Sequence, residues 1–265
     1  MTTAVKYEAP PARATAFSPE EWKLLVELAA FYRICDHLGW TEMIFNHITM
    51  RVPGPEHHFL INPFGLHYSE VTASNLVKID LDGKIVGHSD YPVNPAGFVI
   101  HSAIHAAVPD ALCIVHTHTT AGLAVASSKR GLVANNFYGA QVFDNVAYHD
   151  FEGPSVHDDE KPRLVASLGN KRILILRNHG LLCAGKTIAD AFDLHYRIQR
   201  ACEVQLATAA IDEGIELSRA VIDSFHAVRN DDMNLKMDAP VKPNTQRVFD
   251  AMVRIIDKKD QSYKY

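Results

Sequence analysis

No continuous apolar run in the 265-residue sequence approaches the ~18 residues that a membrane-spanning helix requires. Basic residues are not in excess, because 26 lysines and arginines face 31 aspartates and glutamates, which gives a formal net charge of −5. This balance supplies no positive field for nucleic acid or anionic lipid. The opening MTTAVKYEAPPARATAFSPEE lacks the apolar segment of a secretory signal. These absences predict a cytoplasmic protein that binds neither nucleic acid nor membrane.

Cysteine is scarce and unpaired. The four cysteines lie singly inside apolar segments, without a C-x-x-C motif: Cys35, Cys113, Cys183 and Cys202. In a cytoplasmic chain this pattern is typical of reduced packing residues. Histidine, by contrast, is abundant, with 15 residues, so imidazole chemistry is the first candidate for function.

The length and the 47% hydrophobic content suit one substantial core. Residues 1–17, rich in alanine and proline, predict an extended arm. Ser18, Pro19 and Glu21 form a helix-capping signature, and residues 18–214 are predicted to form the domain. Residues 215–265, broken at DAPVKPNT, predict a helical extension that lies over the body or a neighbouring subunit.

Strand and helix patterns alternate along the predicted domain. NHITMRV and HHFLINP predict a strand pair joined at Pro53-Gly54-Pro55, and LVKIDLDGKIVG predicts a hairpin around Asp82-Gly83. Further patterns predict, in order, a helix at about Pro95 to Ala107, the strand ALCIVHTH, the helix TTAGLAVASSK, a strand-rich stretch to about residue 150, the helix DDEKPRLVASLG ended by Gly169, the buried strand KRILILR, and a long helix capped by Thr187.

Two histidine motifs stand at the ends of predicted strands. In IVHTHTT, His116 and His118 are two residues apart, so their imidazoles project from the same face of a strand. His179 follows the apolar run ILILR and precedes Gly180, where a neighbouring strand would bring a third nitrogen. Three histidines around an open position suit zinc or a similar divalent ion. H-x-H alone is also compatible with hydrogen-bonded core histidines, so the pattern leaves both interpretations open.

Two longer stretches extend these motifs. The stretches are NPAGFVIHSAIHAAVPDALCIVHTHTTAGLAVA and NHGLLCAGKTIADAF. Through them, residues 20 to 212 resemble the class II aldolase/adducin family of metal-dependent sugar-phosphate aldolases and epimerases. The resemblance implies an α/β fold, a three-layer α/β/α sandwich around a central, largely antiparallel sheet. It also implies a homotetramer with the site between subunits. One divalent ion, with zinc expected first and manganese or iron as alternatives, would be held by His116, His118 and His179.

The sequence departs from the family pattern at the acid/base and phosphate positions. The family's aldolases have a glutamate 19 residues before the first histidine of H-x-H, and here that place holds Gly97. The family's phosphate-binding turns correspond here to Asn46-His47-Ile48-Thr49, Phe64-Gly65 and Pro95-Ala96. Donors suited to a dianion are largely replaced, which predicts a small-molecule substrate other than a sugar phosphate. The predicted substrate contacts are Asn46, Phe64 as an apolar wall, Gly65 and Gly97.

Three residues are candidates for the missing acid/base function. His101 lies four residues after Gly97 on a predicted helix, so it shares that face and is a candidate fourth ligand or general base. A packing role for His101 is the alternative. His47, on the turn that faces the site by analogy, is the second candidate. Tyr148 is the third, because related enzymes bring a tyrosine proton donor from the adjacent subunit in this stretch.

The functional prediction is a divalent-metal-dependent lyase, either aldolase or decarboxylase. It would cleave a carbon–carbon bond in a small hydroxy- or oxo-carboxylate or an aromatic acid. Decarboxylation requires no base to begin, and therefore tolerates the loss of the glutamate. Two alternatives remain. Stretches such as PFGLHYSEVTASNLVKI and VAYHDFEG also resemble the adducin head, which implies a non-catalytic oligomeric module, and some family members are iron-dependent oxygenases.

Overall fold

The computed structural model describes residues 17–54, 57–154, 158–230 and 243–265. Except for Phe17, the predicted arm of residues 1–17 lies outside these ranges. Within them, no helix has the length and apolar character needed to cross a bilayer. The helices are α1 Pro19–His37, α2 Pro95–Ala107, α3 Thr120–Ser127, α4 Phe137–Val142, α5 Lys161–Leu168, α6 Ile188–Ala209, α7 Arg219–Asn230 and α8 Asn244–Asp257.

In the described part of the chain, seven strands form one sheet in the order β3-β2-β1-β4-β7-β6-β5. The strands are β1 His47–Arg51, β2 Phe59–Ile61, β3 Val77–Ile79, β4 Cys113–Thr117, β5 Val146–His149, β6 Ile173–Leu176 and β7 Gly180–Gly185. Only β5 and β6 pair in parallel; every other neighbouring pair is antiparallel.

The central strands bury side chains on both faces, which explains their continuous apolar sequence. In β4, Cys113 and Val115 join one core cluster with Phe31 of α1 and Phe192 of α6. Ile114, between them, belongs to a second cluster that α2 and α5 supply with Ile100, Ile104, Leu164 and Leu168. Burying each such side chain contributes about 1.5–3 kcal/mol. The predicted three-layer α/β/α sandwich with a largely antiparallel sheet is confirmed.

Local capping chemistry sets several helix boundaries as predicted. The Ser18 hydroxyl accepts a hydrogen bond from Glu21 N at 3.1 Å at the start of α1. Thr187 does the same for Asp190 N at 3.0 Å at the start of α6. Gly169, with φ of +55°, ends α5, because glycine adopts the left-handed region without a Cβ clash.

The structure differs from the local predictions in two places, a helix before residue 150 and the additional strand β7. The stretch before residue 150 contains α4, which Asn136 caps by accepting from Tyr138 N and Gly139 N, so only β5 there is a strand. The predicted hairpin around Asp82-Gly83 is present, although its second arm is short: Ile79 and Ile85 form an antiparallel bridge, and Val86 N donates to Lys78 O at 2.8 Å. Strand β7 was not predicted, because its glycine-flanked sequence GLLCAG lacks β-branched residues.

The C-terminal residues pack against the body. Phe249 of α8 lies edge-on to Phe31, with ring centroids 6.3 Å apart, and Tyr263 is fully buried in the same cluster. The chain end continues this contact, since Ala73 N donates to Tyr263 O at 2.8 Å. The domain boundary at residue 214 stays a prediction, and the core itself extends across it.

Candidate metal centre

The candidate site lies where β4 ends beside the turn between β6 and β7. His116 of β4 pairs with Leu182 of β7 in the sheet, and the turn that starts β7 carries His179. Asn178 adopts φ of +57°, a left-handed conformation that asparagine tolerates better than most residues. A Cβ on Gly180 would lie 2.4 Å from Thr117 O. The N-H-G motif is therefore required sterically to bring this turn against β4.

The three predicted metal-binding histidines converge. His116 Nε2 and His118 Nε2 are 2.8 Å apart, and the ring centroid of His179 lies 4.8 Å from that of His116 and 4.9 Å from that of His118. One ring nitrogen from each lies within 4.8 Å of the others. His118 follows the last residue of β4, so the pair comes from a strand end and the residue just beyond it.

A backbone contact fixes the tautomer of His116. Its Nδ1 lies 2.9 Å from Leu181 O, and a carbonyl only accepts, so Nδ1 carries the proton and Nε2 presents a lone pair to the other two rings. Metal-binding histidines are commonly oriented by such a contact.

The electrostatics also suit a cation. Burial holds the pKa of His116 well below its ordinary value and lowers that of His179 to about 4. Burial lowers the pKa of His118 as well, while the Glu42 carboxylate acts in the opposite direction. The rings are therefore neutral near neutral pH, which is the ligating form. Three neutral imidazoles fit zinc or another borderline divalent ion.

The alternating His-Thr-His-Thr sequence directs side chains in two directions. Thr117 Oγ1 lies 2.9 Å from His195 Nε2, and Thr119 Oγ1 donates to Gln199 Oε1 at 2.6 Å. Both partners belong to α6. The two threonines thus attach the strand end to α6, whereas the two histidines that alternate with them face the site, as strand alternation requires.

His47 and Gly97 occupy one small space beside the three histidines. His47 is the cross-strand partner of His116, and the two ring centroids are 5.1 Å apart. A Cβ at Gly97 would lie 2.4 Å from Cδ2 and 2.8 Å from Nε2 of His47. The imidazole of His47 therefore fills the space in which a side chain at residue 97 would begin.

His101 stands behind His47 and does not reach the metal ligands as a free imidazole. Its Nε2 lies 2.9 Å from His47 Nδ1, and its Nδ1 lies 2.7 Å from Thr49 Oγ1. Both ring nitrogens therefore contact protein groups, and the predicted role of His101 as a fourth ligand or general base stays a prediction. The prediction that it faces the space near Gly97 agrees with its contact to His47.

Asn46 offers a donor next to the site. Its φ of +68° is left-handed, and its Oδ1 accepts a hydrogen bond from His118 N at 3.1 Å. The Nδ2 group is buried and has no hydrogen-bond partner within the described part of the chain. A buried unpaired amide is costly in a folded protein, so a ligand atom is a natural partner for it.

Phe64 and Gly65 lie in the loop after β2. Phe64 N donates to Pro92 O at 3.0 Å, which places this loop beside the segment that leads into α2 and Gly97. Phe64 is half-buried, and Gly65 is exposed with φ of +103°. Their predicted substrate contacts stay predictions.

Tyr148 makes packing contacts within its own chain. Its hydroxyl accepts from Leu132 N at 3.0 Å, and the Arg177 guanidinium lies 4.1 Å from the ring centroid. These contacts hold the ring against Gly131, where a Cβ would clash with the phenol. A catalytic role for Tyr148 in a neighbouring subunit stays a prediction.

Two residues near the site were missed. The Phe151 ring lies 5.9 Å from the ring of His179, and its surface is 54% exposed, so it forms an apolar wall. Glu42 influences His118 electrostatically. Phe151 comes just after β5, which pairs in parallel with β6, so both strands end at the same sheet edge; no pattern in the sequence indicates this pairing.

Comparisons with known proteins show the family and the fold. The family model described as Class II Aldolase and Adducin N-terminal domain matches residues 26–206. The crystal structure of an aldolase II superfamily protein from Pseudomonas syringae is 40% identical, with a TM-score of 0.87 over 95% of this chain and 98% of that chain. An L-fuculose 1-phosphate aldolase from Glaciozyma antarctica PI12 is 27% identical, with a TM-score of 0.77 over 94% and 97%.

An adducin is also similar to this chain. The α-adducin of Mus musculus is 50% identical over 198 residues, which is 74% of this chain and 27% of the adducin. The chain thus spans about a quarter of that relative's length, while it covers nearly all of the two solved structures.

Proposed function

Because the chain belongs to the class II aldolase and adducin N-terminal domain family, we propose that it is a divalent-metal-dependent lyase. Its substrate is a small hydroxy- or oxo-carboxylate or an aromatic acid in which a carbon–carbon bond is cleaved. The observation that carries the proposal is the convergence of three imidazoles. A hydrogen bond to Leu181 O fixes the tautomer of one of them, His116, so that its Nε2 presents a lone pair to the other two rings.

His116, His118 and His179 would hold the ion, and zinc suits their neutral nitrogen donors best, with manganese or iron as alternatives. When bound, the ion supplies Lewis-acid stabilisation of negative charge on substrate oxygens. Asn46 Nδ2 donates to a substrate oxygen, and Phe151 and Phe64 line the approach. His47, in the space beside Gly97, is the residue placed to contact the reacting part of the substrate.

The surroundings favour a substrate other than a sugar phosphate. Phe64 and the segment Pro95-Ala96 stand where hydroxyl and amide donors for a dianion are expected. A substrate whose carbon–carbon bond lies next to a carboxylate or carbonyl requires fewer such donors than a phosphate dianion does. Decarboxylation and retro-aldol cleavage are both compatible with this arrangement, and the oxygenase alternative would require iron at the same three histidines.

A non-catalytic role is the second candidate function. The 50% identity to α-adducin favours it, because that likeness covers 74% of this chain. In this role the histidines serve packing or a structural ion, and the chain acts as a binding module in an oligomer. A cytoplasmic homotetramer with sites between subunits is proposed in either case.

Metal content is the first property that distinguishes the metal-dependent lyase from the non-catalytic module. Tag-free wild-type protein, His116→Ala and His118→Ala are purified in parallel and analysed for metals, with His88→Ala as control because His88 is exposed at the surface. We expect about one zinc, manganese or iron per chain in the wild type and control, and loss in both site variants. A wild type that is metal-free and cannot be reconstituted contradicts the proposal.

The reaction is then assayed with the loaded protein. A panel of 2-hydroxy, 2-oxo and ortho-hydroxy aromatic acids is followed for release of carbon dioxide and of aldehyde. Carbon dioxide identifies a decarboxylase, and aldehyde identifies an aldolase. Metal-loaded protein that releases neither from any class favours the binding module.

A further inference from the structure

A continuous row of hydrogen bonds leads from His47 into the protein interior. His47 Nδ1 contacts His101 Nε2 at 2.9 Å, His101 Nδ1 contacts Thr49 Oγ1 at 2.7 Å, and Thr49 Oγ1 contacts His105 Nε2 at 2.7 Å. The row ends where His105 Nδ1 meets Ala111 O at 2.7 Å. The side chains of His47, Thr49, His101 and His105 are all buried.

The terminal carbonyl determines the direction of the row. Ala111 O only accepts, so His105 Nδ1 carries a proton. His105 is neutral, because burial lowers its pKa to about 3, and its Nε2 therefore accepts. The hydroxyl of Thr49 must donate its single proton to that nitrogen.

The same reasoning continues outward to His47. Because the Thr49 proton is already used, its oxygen accepts from His101 Nδ1. A neutral His101 then has a bare Nε2, which accepts from His47 Nδ1. His47 is buried, and as a neutral imidazole it is left with a lone pair on Nε2. That nitrogen lies in the space beside Gly97.

We propose that His47 Nε2 is a fixed hydrogen-bond acceptor for a substrate hydroxyl, and that His101, Thr49 and His105 are positioning residues that hold its tautomer. The row ends at a backbone carbonyl, so it orients His47 and does not conduct protons away. His47 Nε2 lies 2.8 Å from the position of a Cβ at residue 97, beside the place where the family's glutamate side chain would begin, so one acceptor stands in for another.

The proposal narrows the substrate class, and in this it rests on the proposed function. Asn46, next to His47 in sequence, has a buried donor at Nδ2, so neighbouring residues present one donor and one acceptor. A hydroxyl beside a carboxylate or carbonyl oxygen satisfies both. A phosphate dianion has no proton for the lone pair of His47, and an oxo acid lacks the hydroxyl. The site therefore selects 2-hydroxy acids and related hydroxy compounds.

Nitrogen NMR of histidine-labelled full-length protein tests the tautomer without metal or turnover. We expect His47 Nε2 to show the shift of an unprotonated, pyridine-like nitrogen, assigned by its loss in His47→Asn. Thr49→Val removes the hydroxyl and should give His47 mixed tautomers, whereas Thr49→Ser should retain the wild-type signal. Thr208→Val is the matched control, because it makes the same chemical change at the end of α6, away from this row of hydrogen bonds. A protonated Nε2 in the wild type overturns the proposal, even if Thr49→Val fails to fold.

Ligand binding tests the selectivity. With the zinc-loaded protein, lactate should bind about 3- to 10-fold more tightly than pyruvate, the range expected of one hydrogen bond, and Thr49→Val should reduce this ratio. Equal binding of the two acids overturns the selectivity. If zinc binds but Nε2 is protonated, this inference fails and the proposed function stands. If Nε2 is bare but no metal binds, the proposed function fails and the tautomer assignment stands.

Discussion

The imidazole of His47 lies where a side chain at Gly97 would have to be, with Cδ2 only 2.4 Å from the position of a Cβ at residue 97. The two positions are 50 residues apart in sequence, on β1 and α2. A histidine at position 47 and any larger residue at position 97 therefore exclude each other in this backbone arrangement.

Gly97→Ala should destabilise the protein by about 1–3 kcal/mol, the usual effect of overpacking a buried site. The same substitution in a His47→Ala background should cost much less, because the space is then empty. Urea unfolding of the wild type, both single variants and the double variant measures the coupling. Equal costs of Gly97→Ala in the two backgrounds would show that the two side chains do not compete.

Gly180→Ala should weaken both the fold and the metal site. A Cβ there meets a backbone oxygen, Thr117 O, at 2.4 Å, and backbone cannot rotate away as a flexible side chain can. Since Thr117 lies between His116 and His118, any shift that relieves the clash also moves these ligands. We expect a loss of about 1–3 kcal/mol in unfolding free energy, with reduced zinc affinity by calorimetry. Unchanged zinc affinity would mean that the turn adapts without disturbing the ligands.

The resemblance to the class II aldolase/adducin family implied the layered fold, and strand alternation together with that resemblance indicated the three histidines. Caps such as Ser18 and Thr187 act within three residues, and the apolar strands β4 and β6 are buried on both faces, so local patterns determine them. Strand β7 could not be predicted in this way, because its position between β4 and β6 depends on close backbone contact at Gly180.

The surroundings of the histidines were less predictable for the same reason. His101 was correctly directed towards the space near Gly97, but its contacts to His47 and Thr49 bridge β1 and α2. Such contacts depend on tertiary packing, and no spacing in the sequence encodes them. Phe151 was missed because its approach to His179 follows from the pairing of β5 with β6.

Acid should destabilise the fold through buried histidines that are not metal ligands. Burial lowers the pKa of His195 to about 3, whereas an unfolded histidine titrates near 6.5. The folded state thus binds a proton less readily, so stability is fully present above about pH 6.5 and is lost as pH falls towards 3. One such histidine contributes a slope of up to about 1.4 kcal/mol per pH unit.

His195→Gln should reduce this acid sensitivity. Glutamine retains a polar group that can reach Thr117 but does not titrate. Urea midpoints of the metal-free protein at pH 7.5, 6 and 5 should fall less steeply in this variant than in the wild type. His88→Gln, which alters an exposed surface histidine, should keep the wild-type slope. An unchanged slope in His195→Gln would show that this residue is not part of the acid response.

Asn46→Asp should separate substrate binding from metal binding. The carboxylate keeps an oxygen to accept from His118 N, so the local backbone and the fold should be retained. It removes the Nδ2 donor and adds a negative charge beside the site, which repels an anionic ligand. Lactate affinity of the zinc-loaded protein should fall about tenfold or more, since a lost charge-assisted hydrogen bond contributes roughly 1.5–3 kcal/mol.

Zinc itself should bind Asn46→Asp at least as tightly as the wild type, because an added carboxylate favours a nearby cation. Calorimetric titration with zinc alone, followed by lactate, measures the two steps on one sample. Asn46→Ala is the matched control for the lost donor without added charge, although it also leaves His118 N without its acceptor. Loss of lactate binding in both variants with zinc retained would assign the donor role to Nδ2. Unchanged lactate binding in Asn46→Asp would place the ligand elsewhere, away from the amide that the fold leaves unpaired.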